Sequence, residues 1–135
     1  MIDLNFHHIG VAAQNIERDL IVFEALGYKK VSQPFIDKTQ KIRGLFVEAD
    51  GGAPRLELLE NIDDQGPLSS LLKRQIKFYH FAYETDNIEK DAANIISSMK
   101  AIMIAPITSA TYFEKVCFMA LRNQAIIELV QLRKG

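Results

Sequence analysis

Residues 6–20 read FHHIGVAAQNIERDL, and residues 78–92 read FYHFAYETDNIEKDA. Laid over each other without a gap, they set Phe6 on Phe78 and His8 on His80. Asn15, Ile16 and Glu17 fall on Asn87, Ile88 and Glu89, Arg18 on Lys90, and Asp19 on Asp91. A second echo follows: RLELLE at 55–60 and IIELVQ at 126–131 place Glu57 opposite Glu128. The chain is an internal duplication, and a repeat of this kind decides the architecture. Each copy carries a histidine near its start and a glutamate near its end.

The flanks of the doubled stretch read as the same succession of elements twice. NFHHIGVA (5–12) fits a strand with Phe6, His8 and Gly10 on one face and His7, Ile9 and Val11 on the other. Asn15 is an N-cap residue for a helix whose stripe is Ile16, Leu20, Phe23 and Leu26, ended by Gly27. Strands are expected at 28–33, 41–48 and 55–60, with a polar loop at 34–40 and a turn at DGGAP. Residues 61–77 break the pattern and read as a linker with a short helix from Pro67 through Leu72. The order then returns: a strand at 78–84, Asn87 as cap, a helix over 88–99, and strands at 102–107, 115–120 and 125–130. Pro106 is expected at a strand end or a bulge, because it has no ladder donor to offer.

Each βαβββ half is too small to bury both its sheet and its helix. The expectation is therefore one α+β domain over residues 1–135, with one module at 5–60 and a second at 78–131. The paired modules would form a curved mixed sheet with helices outside and a cleft between them. The bulk numbers agree: 48% hydrophobic and 24% charged residues are the balance of a soluble globular chain. A net charge of −1 gives no pull toward nucleic acid or an anionic membrane, and no apolar run is long enough to span a bilayer. With no basic segment leading into an apolar one at the N-terminus, and Cys117 as the single cysteine, a reducing cytoplasm is the expected location.

Glu57 and Glu128 stand in strands whose other residues are strongly apolar. A carboxylate buried there must be paired or bound to a metal. A single histidine on a strand is more often a packed or hydrogen-bonded core residue, and a single glutamate in such a run is more often a surface one. That ordinary explanation has to account for histidine and glutamate recurring at matched points about 71–72 residues apart. Together His8, Glu57, His80 and Glu128 can supply two nitrogen and two oxygen donors, a set that suits Zn²⁺, Ni²⁺, Co²⁺, Fe²⁺ or Mn²⁺.

At these residues the chain resembles the vicinal oxygen chelate superfamily, the glyoxalase/bleomycin resistance/dioxygenase family. The segments that carry the resemblance are HHIGVA with NIERDLIVFEALGY, RLELLE, YHFAYETDNIEKD and AIIELVQ, reaching from Phe6 to Gln131. The resemblance implies paired βαβββ modules that cup a divalent metal, here Co²⁺, Ni²⁺, Zn²⁺ or Mn²⁺, held by His8, Glu57, His80 and Glu128. It also implies a homodimer. Extradiol dioxygenases of the family use two histidines and one glutamate, so a fourth ligand at Glu57 points away from them. The four-ligand set is similar to that of methylmalonyl-CoA epimerase and glyoxalase I, both of which move a proton on the carbon beside a carbonyl. FYHFAYETDNIE and AIIELVQ favour an epimerase- or isomerase-like reaction on an acyl thioester, with Glu128 as the base. Glyoxalase I, acting on a glutathione adduct, is the alternative, and a non-catalytic binding protein of the bleomycin-resistance type is a third reading. The third strand, KIRGLFVE, departs from the epimerase: where that enzyme has a second glutamate base, this chain has Arg43 and Gly44, with Glu48 only at the strand's end.

The remaining candidates are weaker. Arg43 could face the cleft and hold a substrate carboxylate or phosphate through its planar fork, against a plain role at the strand edge. Lys38, Lys41, Lys73, Arg74 and Lys77 could rim a site for a CoA arm, but a solvated mixed-charge surface is the stronger reading. Tyr112 and Phe113 stand in a loop that could cover the cleft or simply pack. His7 is expected on the opposite strand face from His8, near the helix or solvent, and Cys117 in the core.

Overall fold

A computed structural model describes residues 2–134. The chain divides into two compact units, one spanning His8–Tyr79 and the other combining the N-terminal residues through His7 with the chain from His80 onward. The boundary falls inside the first strand, β1 (Asn5–Ala12).

In the first unit β1 leads into helix α1 (Ile16–Ala25), followed by β2 (Lys29–Lys30), β3 (Phe35–Asp37), β4 (Ile42–Glu48), β5 (Leu56–Asn61) and a short helix α2 (Ser69–Lys73). Strands lie in the order β2-β4-β5-β1, with β3 paired to β4 off that path. β1 runs parallel to β5, and the other pairs are antiparallel. The second unit carries β6 (Phe78–Thr85), helix α3 (Ile88–Met99), β7 (Ile102–Ser109), β8 (Lys115–Ala120) and β9 (Ile126–Gln131). Its strands lie in the order β6-β9-β8-β7, with β6 parallel to β9. This is an α+β chain with a mixed sheet, built twice on one plan. No helix among the described residues is long and apolar enough to cross a membrane.

The helix starts repeat in detail. Asn15 Oδ1 accepts from the Arg18 N–H at 3.0 Å, and Asn87 Oδ1 accepts from the Lys90 N–H at 3.1 Å. A second acceptor reaches each helix from the last strand of its module. Glu60 Oε1 takes the Ile16 N–H at 3.3 Å, and Gln131 Oε1 takes the Ile88 N–H at 2.9 Å. Both serve first-turn donors that the helix itself leaves open.

One face of each sheet is covered by its helix. In the first unit Val11, Leu45, Val47, Leu56 and Leu58 pack with Ile16, Leu20 and Phe23. In the second, Cys117, Met119, Ile127 and Leu129 pack with Ile88, Ala92 and Ile95. Cys117 is thus the core residue expected, and burial pushes its thiol up to about 11. Strand alternation sends the intervening residues to the opposite face; Glu57 and Phe46 go there in one unit, Glu128 and Phe118 in the other.

Two expectations about the first module need correction. The second strand covers only Lys29–Lys30 rather than 28–33, and a strand forms at Phe35–Asp37 inside the expected loop. Val31 still donates to Phe46 O at 2.9 Å, but the next β4 donor, Phe46 N–H, goes to the Ser32 hydroxyl. A side chain has replaced the ladder there, and Pro34 lies just beyond with no donor. The chain then rejoins β4, with Phe35 opposite Gly44. Pro106 lies within β7, where the register shifts between Ala105 and Thr108, so the bulge alternative is the one realised.

Gly44 is required for that return. A Cβ placed on it would lie 2.7 Å from Cε2 of Phe35. The Phe35 ring stacks on Phe46, with centroids 5.9 Å apart and planes 23° apart. Gly44→Ala is therefore expected to displace Phe35 and cost about 1–3 kcal/mol, the usual range for overpacking. Urea unfolding of the two proteins measures this directly; a midpoint that does not move would show that the ring yields freely.

Candidate metal centre

Each unit holds one buried histidine–glutamate pair. In the first, β1 presents His8 and β5 presents Glu57, with His8 Nε2 3.0 Å from Glu57 Oε1. In the second, β6 presents His80 and β9 presents Glu128, with His80 Nε2 3.1 Å from Glu128 Oε1. All four residues are buried.

The framing of the two pairs is also duplicated. On β5, Glu57 lies between Gly10 of β1 and Phe46 of β4. On β9, Glu128 lies between Ala82 of β6 and Phe118 of β8. The Phe46 ring meets the His8 imidazole edge to face at 5.1 Å, and Phe118 meets His80 in the same way at 5.2 Å. In each pair a small residue leaves room for the carboxylate on one side and an aromatic ring walls the imidazole on the other. The two phenylalanines were not singled out in the sequence, although they obey the same 72-residue offset as the histidines.

His8, Glu57, His80 and Glu128 each offer one ligand atom, and these atoms lie within 4.8 Å of one another. Two carboxylates buried with two imidazoles that are neutral when they ligate leave two negative charges to be balanced away from water. A divalent cation balances that charge, and the mixed nitrogen and oxygen donors suit a first-row metal. The residues present therefore fit such an ion.

The other candidates lie elsewhere. Arg43 shares its β4 face with Leu45 and Val47, the helix side, and so points away from Phe46 and the His8–Glu57 pair. It pairs across the ladder with Glu60, Nη1 lying 3.9 Å from Oε1. Of the two readings of Arg43, holding a substrate group in the cleft or a plain role at the strand edge, this position accords with the second. On the other face β4 offers Ile42, Gly44 and Phe46, and Glu48 at the strand end is engaged by Arg55 at 2.7 Å. Lys77 is bound by Asp19 of α1, while Lys38, Lys41, Lys73 and Arg74 are exposed. His7 is buried against Phe113, with ring centroids 5.2 Å apart, rather than exposed to solvent. Tyr112 in turn packs on Phe113 at 5.1 Å.

A family model described as the glyoxalase/bleomycin resistance protein/dioxygenase superfamily matches residues 7–118. The chain belongs to this superfamily. Its members are often enzymes, epimerases among them. No curated protein matches the sequence. Among solved structures, a hypothetical protein, BH1468 from Bacillus halodurans C-125, superposes with a TM-score of 0.84 at 19% identity, covering 99% of this chain and 98% of that one. Methylmalonyl-CoA epimerase from Mycobacterium tuberculosis gives 0.82 at 17% identity, with 99% and 94% covered. A variant of the Streptomyces coelicolor epimerase, in complex with 2-nitronate-propionyl-CoA, gives 0.81 at 20% identity, with 98% and 100% covered. At these identities the likeness is one of fold.

Proposed function

We propose that this chain is a divalent-metal-dependent enzyme that moves a proton on the carbon beside the carbonyl of an acyl thioester. The observation that carries the proposal is the duplicated buried set of two histidines and two glutamates. His8, Glu57, His80 and Glu128 hold the ion, with Co²⁺, Ni²⁺, Zn²⁺ and Mn²⁺ as candidates. When bound, the ion supplies a Lewis acid at the oxygen on which negative charge develops. Glu128 takes the proton from the substrate carbon and returns it. The acyl-CoA ligands named for the structural neighbours support a CoA thioester as substrate. The two modules act as one functional domain joined through residues 61–77, in a cytoplasmic homodimer.

The one carboxylate on the metal-facing side of β4, Glu48, stands half-exposed at the strand end and is engaged by Arg55, which disfavours it as a second base. A single base works from one side of the substrate carbon. Solvent deuterium is therefore expected to enter that carbon faster than its configuration inverts. The test follows α-proton loss by NMR in D₂O across a panel of CoA thioesters, with chiral analysis of the same samples. Inversion as fast as exchange would contradict the one-base mechanism. Lactoylglutathione formation from methylglyoxal and glutathione, without thioester exchange, would replace this reading with the glyoxalase one.

A further inference from the structure

The duplication allows the surroundings of the two buried glutamates to be compared position by position. One step back along the parallel register of β1 and β5, Arg55 stands level with His8, and the Ile9 N–H donates to the Arg55 carbonyl at 3.0 Å. Strand alternation puts Arg55 on the face of Glu57, two residues before it. On the other side lies Glu48 of β4, two residues beyond Phe46, whose Oε2 accepts from Arg55 Nε at 2.7 Å. A half-exposed ion pair thus stands beside the first histidine–glutamate pair, on the same face of the sheet. The matched places in the second module, two residues before Glu128 and two beyond Phe118, are Ile126 and Ala120, which face each other across the ladder. Both are half-buried.

The fold therefore closes this strand end with an apolar pair in one module and an ion pair in the other. Stability does not account for the difference, because an exposed ion pair adds little. What differs is the chemistry next to the ligands: Glu128 has hydrocarbon for a neighbour and Glu57 has a cation. Arg43, the arginine of β4, lies on the helix side and cannot supply that cation. A guanidinium carries five donors in a planar fork that matches carboxylate geometry. We propose that Arg55 is a substrate-binding residue that determines specificity, taking a carboxylate borne by the acyl portion of the substrate. The near-symmetric set of two histidines and two glutamates cannot tell one end of a substrate from the other; Arg55 can. This role rests on the thioester reading above.

The test is calorimetric titration of the full chain, loaded with Co²⁺, with methylmalonyl-CoA and with isobutyryl-CoA, which differ by a carboxylate in place of a methyl group. The natural protein is expected to bind the first roughly 10–150-fold more tightly, the range for a hydrogen bond to a charged group. Arg55→Met is expected to lose that preference while keeping its metal and its far-UV spectrum. Arg55→Lys keeps the charge without the fork and is expected to retain part of the preference. Equal binding of the two thioesters by the natural protein overturns the role of Arg55. So does a preference that survives in Arg55→Met, or a lysine variant no more selective than the methionine one. Binding of neither thioester overturns the thioester reading and this subsite with it.

Discussion

Glu128→Gln is expected to lower the rate of α-proton exchange into an acyl-CoA thioester by roughly 10²–10⁴-fold, the usual contribution of a positioned acid or base. Glutamine keeps the shape of the side chain, so the packing between Ala82 and Phe118 is retained. It also keeps an oxygen that can face His80 Nε2, now 3.1 Å from the carboxylate. It cannot take up a proton. The variant should therefore lose rate out of proportion to any loss of metal, and measuring both on one preparation separates base from ligand. Unchanged exchange would show that another group is the base. Equal loss of rate and metal would make Glu128 a ligand only.

His80→Ala should abolish metal binding at ordinary concentrations. Removing a group that merely supports a ligand typically costs 10–100-fold in affinity, and removing the ligand should cost at least about 100-fold. Thermal unfolding gives a second readout. An ion present at about 100 times its dissociation constant adds about 2.7 kcal/mol to the natural protein, an increment the variant should lack. His7→Ala is the internal control, because His7 packs on Phe113 and is not one of the four residues whose ligand atoms cluster. A normal metal response in His80→Ala, or its loss in His7→Ala, would contradict the assignment.

The histidine–glutamate cluster and most of the element order are legible because they repeat. A residue seen twice at one offset has been sampled twice, and His8 with His80 and Glu57 with Glu128 are such residues. The same offset was available for Phe46 with Phe118, and a nearly equal one for Glu60 with Gln131. Phenylalanine in a strand and a polar residue at a strand end are ordinary until the ladder is known. Their roles depend on register: Phe46 stands opposite Glu57 and Phe118 opposite Glu128, although the turn between these strands is one residue shorter in the second copy. In residues 28–40 side chains override the strand pattern. The Ser32 hydroxyl took a ladder donor, and the Phe35 ring needed the space that only Gly44 leaves. The side of β4 on which Arg43 lies follows from the strand's parity, which the apolar run LFV conceals.

The most direct test of the central claim is metal stoichiometry after chelation and reloading, measured by plasma emission on the natural protein and on a His8→Ala/His80→Ala double variant. With Co²⁺, Ni²⁺, Zn²⁺ or Mn²⁺ offered one at a time, at least one of these ions should bind the natural chain at one per chain and be absent from the variant. A natural chain that retains none of these ions, or a double variant that binds as much as the natural chain, would contradict the account.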